Sequence, residues 1–376
     1  MKRRIPLITL AALALAALLN SPAHSQTSYI VTPITGRRGF PNNAHYSINI
    51  NGQISGTLPG TAHAFRWDPT SPNATTGTLN DLGGYNAYAV TWGCGINSLG
   101  DVVGFAGDTK LPQALLWPYG ASVQSLGGGG AVQEEAYAIN RNRDVAILHY
   151  SSKNTSTNGV NVSRIVSGKR KEFFLGAGWP EDINDAGQAL GYFGGNGPAD
   201  GVPLWTPTAS GTSWTLQKIV PDGLGYDLNE NGEAVGRQYV TVGGVTWGRP
   251  YLYLPAAKYG LPGGTNDLWN LIAPALPSPT AGASWLAGSA YGLNDNGTVI
   301  GDAVSYSQDS TGKWVAVDFV VWLWDSVNGA RSLSALVAPA GWTLTSATHQ
   351  INNDGQIVAT ATNGIAEYCV LLTPVL

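Results

Sequence analysis

The sequence predicts an all-β chain folded as a seven-bladed β-propeller of four-stranded antiparallel blades. Three observations lead there: a repeat with a period mostly in the forties, a glycine-closed hairpin inside each repeat, and a strand count that leaves the last blade one strand short. The repeat is clearest in Leu293-Asn294-Asp295-Asn296-Gly297-Thr298-Val299-Ile300-Gly301. Seven copies align on Asn49, Asn97, Asn140, Asn184, Asn229, Asn294 and Asn352, at intervals of 48, 43, 44, 45, 65 and 58 residues. Such a period suits four-stranded blades or helical arrays. The copies carry several glycines each and alternate with period two, which argues against helices.

The first two strands of each unit flank the asparagine. Ile or Leu precedes it in every copy, and glycine follows three residues later in six: Gly52, Gly100, Gly187, Gly232, Gly297 and Gly355. An apolar run such as Asp101-Val102-Val103 comes next. This reads as strand, tight turn, strand. Asn, Asp or Glu side chains cap the turn, and the glycine supplies the positive φ of a type I turn closed by a G1 bulge. The third copy has Arg143 at the glycine position, at a cost of about 1 kcal/mol. The third strand is aromatic or branched, as in Ala64-Phe65-Arg66-Trp67 and Val320-Val321-Trp322-Leu323-Trp324. The fourth runs into Leu-Gly, as in Leu79-Asn80-Asp81-Leu82-Gly83. After Asn352 the chain has room for only three strands, while Tyr29-Ile30-Val31-Thr32 stands spare ahead of Asn49. The N-terminal strand is therefore expected to complete the last blade and close the ring without an open edge. The stretch 255–289, rich in proline and glycine, reads as an elaborated loop on the rim.

His63-Ala64-Phe65-Arg66-Trp67-Asp68, Asn80-Asp81-Leu82-Gly83-Gly84 and Ile96-Asn97-Ser98-Leu99-Gly100-Asp101-Val102-Val103-Gly104 together resemble the HAF repeat of bacterial extracellular proteins. The resemblance spans most of residues 28–376 in diverged form, since later units read Gln113-Ala114-Leu115 or Arg249-Pro250-Tyr251. It implies a secreted repeat protein and carries no activity to transfer to individual residues.

Residues 1–25 read as a secretory signal: basic Lys2-Arg3-Arg4, an apolar core over 5–19, and Ala23-His24-Ser25 as a small-residue cleavage site. Cleavage there leaves 26–376 as one propeller domain in an extracellular or periplasmic setting. It also leaves 17 Lys and Arg against 24 Asp and Glu, a net charge of −7. An acidic chain with 12% charged residues is a poor nucleic-acid partner, and no later stretch is long and apolar enough to cross a bilayer. Lys169-Arg170-Lys171, the one basic run, reads as a solvated turn. Cys94 and Cys369 fall on different blades, so two buried free thiols are expected rather than a bridge.

Three residues before each asparagine stand Tyr46, Cys94, Tyr137, Glu181, Tyr226, Tyr291 and His349. On a propeller these form a ring near the channel mouth, on the face that carries the long loops. Tyr46, Tyr137, Glu181, Tyr226, Tyr291 and His349 are thus the candidate ligand-binding residues. The competing reading wedges the tyrosines between blades with only their hydroxyls wet. Aromatics also crowd the long loops (Tyr85, Tyr88, Trp92, Trp179, Tyr192, Phe193, Trp247, Trp285, Tyr306, Trp314), where they suit sugar faces or simple packing. Asp227-Leu228-Asn229-Glu230-Asn231-Gly232 opens like a Ca²⁺ loop, but Gln238 stands where a bidentate Glu would close it, so no metal residue is assigned. No motif calls for a cofactor. The expected function is non-enzymatic binding of an extracellular glycan or envelope protein. The alternative is a carbohydrate-active hydrolase or lyase, should Glu134, Glu135, Glu181, Asp182 and Asp227 converge near the mouth.

Overall fold

A computed structural model describes residues 28–37, 45–86, 88–107, 112–128, 132–193, 201–345 and 350–375. They form seven antiparallel sheets about a common axis. In the first blade the order from axis to rim is Ser47–Ile48, Ile54–Thr57, Ala64–Pro69 and Gly77–Asp81. Five more blades with the same sequential order occupy 91–128, 132–176, 179–220, 223–267 and 284–332. The seventh ends with Ile357–Thr362 and Glu367–Val375, and Ser28–Arg37 completes it as the outermost strand, paired antiparallel from Ser28↔Val375 to Arg37↔Glu367. Its innermost strand is split into Thr343–Leu344 and Gln350–Ile351, both laid on Ile357–Thr362. The expected signal at 1–25 lies outside the described residues, and so does His349.

All seven hairpins have the expected geometry. The asparagine N–H donates to the carbonyl four residues on, from Asn49→Gln53 (3.0 Å) round to Asn352→Gln356 (2.9 Å). The six glycines at the third position after it have φ between Gly232 at +72° and Gly100 at +82°. Arg143 adopts the same left-handed backbone at +63°. Its strain is offset by a two-pronged grip on the fully buried carboxylate of Asp101 in the preceding blade, at 2.7 and 3.1 Å.

The asparagine side chains also close the ring. Each Nδ2 donates to the backbone carbonyl of the next blade's asparagine: Asn49→Asn97 (2.8 Å), Asn97→Asn140 (3.1 Å), Asn140→Asn184 (2.9 Å), Asn184→Asn229 (3.1 Å), Asn229→Asn294 (3.1 Å), Asn294→Asn352 (3.0 Å) and Asn352→Asn49 (3.2 Å). The Oδ1 accepts backbone N–H groups of its own turn, as Asn229 does from Asn231 and Glu233. One side-chain type thus shapes every turn and ties it to its neighbour, which explains why asparagine recurs where Asp or Ser would cap equally well.

The apolar core is distributed between blades. Trp67, Trp117, Trp205, Tyr253 and Trp324 are buried at equivalent third-strand positions, opposite the small or branched residue five after the asparagine (Ile54, Val102, Ala189, Ala234, Val299). Cys94 and Cys369 are buried free thiols.

Three expectations need correction. Two strands, Ile357–Thr362 and Glu367–Val375, follow Asn352 rather than three, because the innermost strand of the blade precedes the asparagine as in every other copy. The stretch 255–289 is not one loop: it contains the fifth blade's outermost strand Gly264–Asp267, helix Trp269–Ile272 and the start of strand Ser284–Leu293. Prolines and glycines around that short strand masked it. Lys169-Arg170-Lys171 begins a strand, and Arg170 is half-buried, donating to the carbonyls of Arg143 and Ser163 at 3.3 and 3.1 Å.

Candidate functional site

The innermost strands enclose an axial cavity of about 870 Å³. In five blades the residue three before the asparagine is the extra residue of a β-bulge. The register slips past Cys94, Tyr137, Glu181, Tyr226 and Tyr291. A bulge turns one side chain out of the strand's alternation, and all five line the cavity. Room for the kinked backbone comes from the glycine that ends the repeat motif. A Cβ on Gly104, Gly191, Gly236 or Gly301 would collide with the carbonyl of Trp92, Trp179, Leu224 or Ser289, each two residues before the bulge.

The predicted ring is therefore real for Tyr137, Glu181, Tyr226 and Tyr291, all half-buried on the cavity wall. Tyr46 reaches the wall but is buried against Phe65, with ring centroids 6.2 Å apart, so it packs within its blade. Tyr226 and Tyr291 stack at 4.9 Å and 23°. Arg237 donates to the Tyr291 hydroxyl (3.3 Å) and to Ser289 Oγ (2.7 Å). Asp302 accepts the Ser289 N–H at 3.1 Å, and burial, partly opposed by Arg237, pushes its carboxyl up to about 6. Sequence reasoning missed this group. Arg237 and Asp302 are each eight residues after their asparagines, and opposite charges at one repeat position in successive copies were the available signal. Across the axis, His45 meets Tyr137 edge-on at 5.5 Å, and the Tyr137 hydroxyl donates to Glu135 at 2.8 Å. Trp179 and Tyr192 stack at 6.2 Å and 7° on the same wall.

The acids converge only in part. Burial and Asp182 push the Asp227 carboxyl well above the usual range, so it holds a proton and bonds Asp182. Their remaining oxygens serve the fold: Asp182 accepts Leu228 N–H (2.9 Å) and Asp227 accepts Leu293 N–H (2.6 Å), each across to the next blade. Gln350 does the same for Ile48 at 3.2 Å. The pair thus stitches blades together. Glu134 turns away from the axis to His149. The Ca²⁺-like run around Asn229 is consumed by the hairpin.

Glu181 stands apart, making no hydrogen bond to any described residue. Burial, then the charge of Asp182, pushes its carboxyl up to about 8 from the ordinary 4.5. The native chain therefore keeps a proton that the unfolded chain loses in this window. The stability from that protonated form is full below about pH 4.5 and is lost as pH rises through 8. Glu181→Gln is expected to leave stability unchanged at pH 4.5 and to raise it at pH 8.5 by about 1–2 kcal/mol, a figure reduced for contact with channel water. Urea unfolding at the two pH values checks this; equal effects at both would assign Glu181 an ordinary acidity.

No protein-family model and no curated protein matches this chain. Solved structures match over nearly its whole length. The chain in "YCF48 bound to D1 peptide" superposes with a TM-score of 0.48 at 10% identity, covering 93% of this chain and 97% of that one. A chain of "Crystal Structure of Mitotic Checkpoint Complex" gives 0.45 at 11%, with 96% and 98% covered. A streptogramin B lyase gives 0.41 at 10%, with 93% and 98% covered. These likenesses concern the fold alone. No helix among the described residues is long and apolar enough to cross a membrane.

Proposed function

We propose that this chain is a secreted, non-enzymatic propeller of HAF-repeat type that holds an extracellular partner, a glycan or an envelope protein, at its channel mouth and long-loop face. The observation that carries this reading is the set of five inner-strand bulges. They aim side chains at one axial cavity at the cost of ladder hydrogen bonds, a departure that bulged strands commonly make at sites. The wall chemistry suits an uncharged polar segment: tyrosine hydroxyls, the protonated Glu181 carboxyl, and the stacked Tyr226–Tyr291 and Trp179–Tyr192 pairs. The hydrolase or lyase reading is weaker, because Asp182 and Asp227 spend their oxygens on backbone N–H groups.

The test is retention of glycans and of envelope fractions on immobilised protein. Tyr226→Ala with Tyr291→Ala is expected to weaken retention about tenfold or more. Leu99→Ser, on an exposed hairpin at the opposite face, is expected to leave it unchanged. Retention untouched by the tyrosine changes would move the binding surface elsewhere. Turnover of a retained glycan that disappears in Glu181→Gln would replace the reading with an enzymatic one.

A further inference from the structure

Away from the channel, the third blade brings together Glu134, His149 and Glu172, residues the sequence gives no reason to group. Glu134 lies on the innermost strand Val132–Ile139, directly opposite His149 on Val145–Ser151. Glu172 belongs to the outermost strand Lys169–Gly176. One ligand atom from each lies within 4.8 Å of the others. His149 Nδ1 is 2.8 Å from Glu134 Oε1 and 4.0 Å from Glu172 Oε2.

Two further facts mark this cluster as more than a surface ion pair. Glu134 is only 4% exposed, yet among the described residues no donor group reaches its buried Oε2, and its close polar neighbour besides His149 is another carboxyl, Glu172. A carboxylate oxygen left dry and unpartnered costs several times what a made hydrogen bond gains. Second, the neighbouring blade contributes a glycine just here. A Cβ on Gly127 would run into Glu134 Oε2 and come within 3.4 Å of Glu172 Oε1. The two carboxylates therefore fit only under a bare backbone.

We propose that Glu134, His149 and Glu172 bind a divalent transition-metal ion, zinc being the best match, in the crevice between the second and third blades. One imidazole nitrogen and two carboxylate oxygens form a donor set suited to zinc, and less to calcium, which prefers oxygen alone. Ligand atoms about a tetrahedral zinc sit about 3.4 Å apart, between the two distances found here. The ion supplies the orphaned Glu134 oxygen with its partner and offsets the two acids. Glu172 is exposed, which leaves a path for entry and a coordination position for water. Because the ligands come from three strands of one blade, under a roof from the next, metal binding stiffens the joint beside the Tyr137 part of the channel wall.

The test uses the full, untagged chain, stripped with chelator and titrated with zinc chloride in a calorimeter, with melting followed in parallel. The expected result is saturable binding of one zinc per chain and a rise in melting temperature of about 4 °C at a hundredfold excess over Kd. Glu172→Gln, at an exposed position that should fold normally, is expected to weaken binding about tenfold or more. His149→Gln is expected to abolish it, and His63→Gln, a histidine bonded to Asp81 in the first blade, to leave it intact. Cobalt in place of zinc should give visible absorption that Glu172→Gln alters. No saturable zinc binding, zinc binding unchanged in Glu172→Gln, or calcium binding as tightly as zinc would overturn the proposal.

Discussion

Deleting residues 28–37 is expected to lower the melting temperature by more than about 10 °C, or to leave a chain that aggregates on purification. This strand pairs along its whole length with Glu367–Val375 and is the seventh blade's outer edge. It also belongs to two cores. Tyr29 is buried with Val321 of the sixth blade, Leu333 of the helix Leu333–Val337 that follows it, and Ile357 and Leu372 of the seventh. Ile34 is buried with Tyr46, Ile54, Phe65 and Trp67 of the first blade. Each side chain contributes about 1.5–3 kcal/mol on burial, and the deletion would also expose a nine-residue strand as an open edge. Against a typical stability of about 5–15 kcal/mol, losing both cores and the ladder together removes most of what holds the ring shut. Removing only Tyr29-Ile30-Val31-Thr32 should produce the sixth-blade half of the effect, with a smaller drop. Circular dichroism melting and size-exclusion chromatography read the outcome. An unchanged midpoint in the ten-residue deletion would mean that the asparagine ring closes the propeller unaided.

That strand shows what the sequence makes legible. Its place followed from the last blade coming out one strand short, from the spare strand before Asn49 and from the penalty on an open edge; the count itself was off by one, since two strands and not three follow Asn352, the innermost strand lying before it. The hairpins were legible for a similar reason, since a glycine at fixed spacing from an asparagine states a local backbone requirement. Arg143, the one departure, still takes the left-handed conformation. Features that depend on register or on neighbours were harder to read. The bulges at Cys94, Tyr137, Glu181, Tyr226 and Tyr291 leave composition and periodicity unchanged, so the ring was found from spacing while its mechanism was not. Tyr46 shows the limit of spacing alone: it keeps the repeat position but sits beyond the end of a two-residue strand, and packs inward on Phe65. Glu134, His149 and Glu172 meet across three strands, a proximity that no repeat spacing encodes. The acidic group divided for a physical reason, since carboxyl oxygens beside free inter-blade N–H groups bond them before any ligand can.

The asparagine ring makes the sharpest chemical prediction. Asn97→Asp, isosteric with the natural residue, is expected to cost about 3–5 kcal/mol at pH 7, more than Asn184→Asp at about 1–3 kcal/mol. Asn97 Nδ2 donates to two acceptors, the Asn140 carbonyl and Asp101 Oδ2, both at 3.1 Å, and Asn97 and Asp101 are 3% and 0% exposed. An aspartate there sets a second carboxylate against Asp101, whose charge is already matched by Arg143. At Asn184 the equivalent neighbour is Gln188, bonded at 2.9 Å through Oε1; its amide can turn to offer a donor instead. The two variants present the same new group to the same kind of carbonyl, so the difference between them isolates the charge at the fourth position after the asparagine. The pH response has a fixed sign. Repulsion raises the folded-state pKa of the introduced carboxyl above its unfolded value, so the Asn97→Asp chain should regain stability as pH falls from 7 toward 5, and Asn184→Asp much less. Denaturant unfolding of both variants at the two pH values decides it. Equal losses with the same pH profile would mean that the side chains do not donate around the ring as described, and that the blades are held by packing alone.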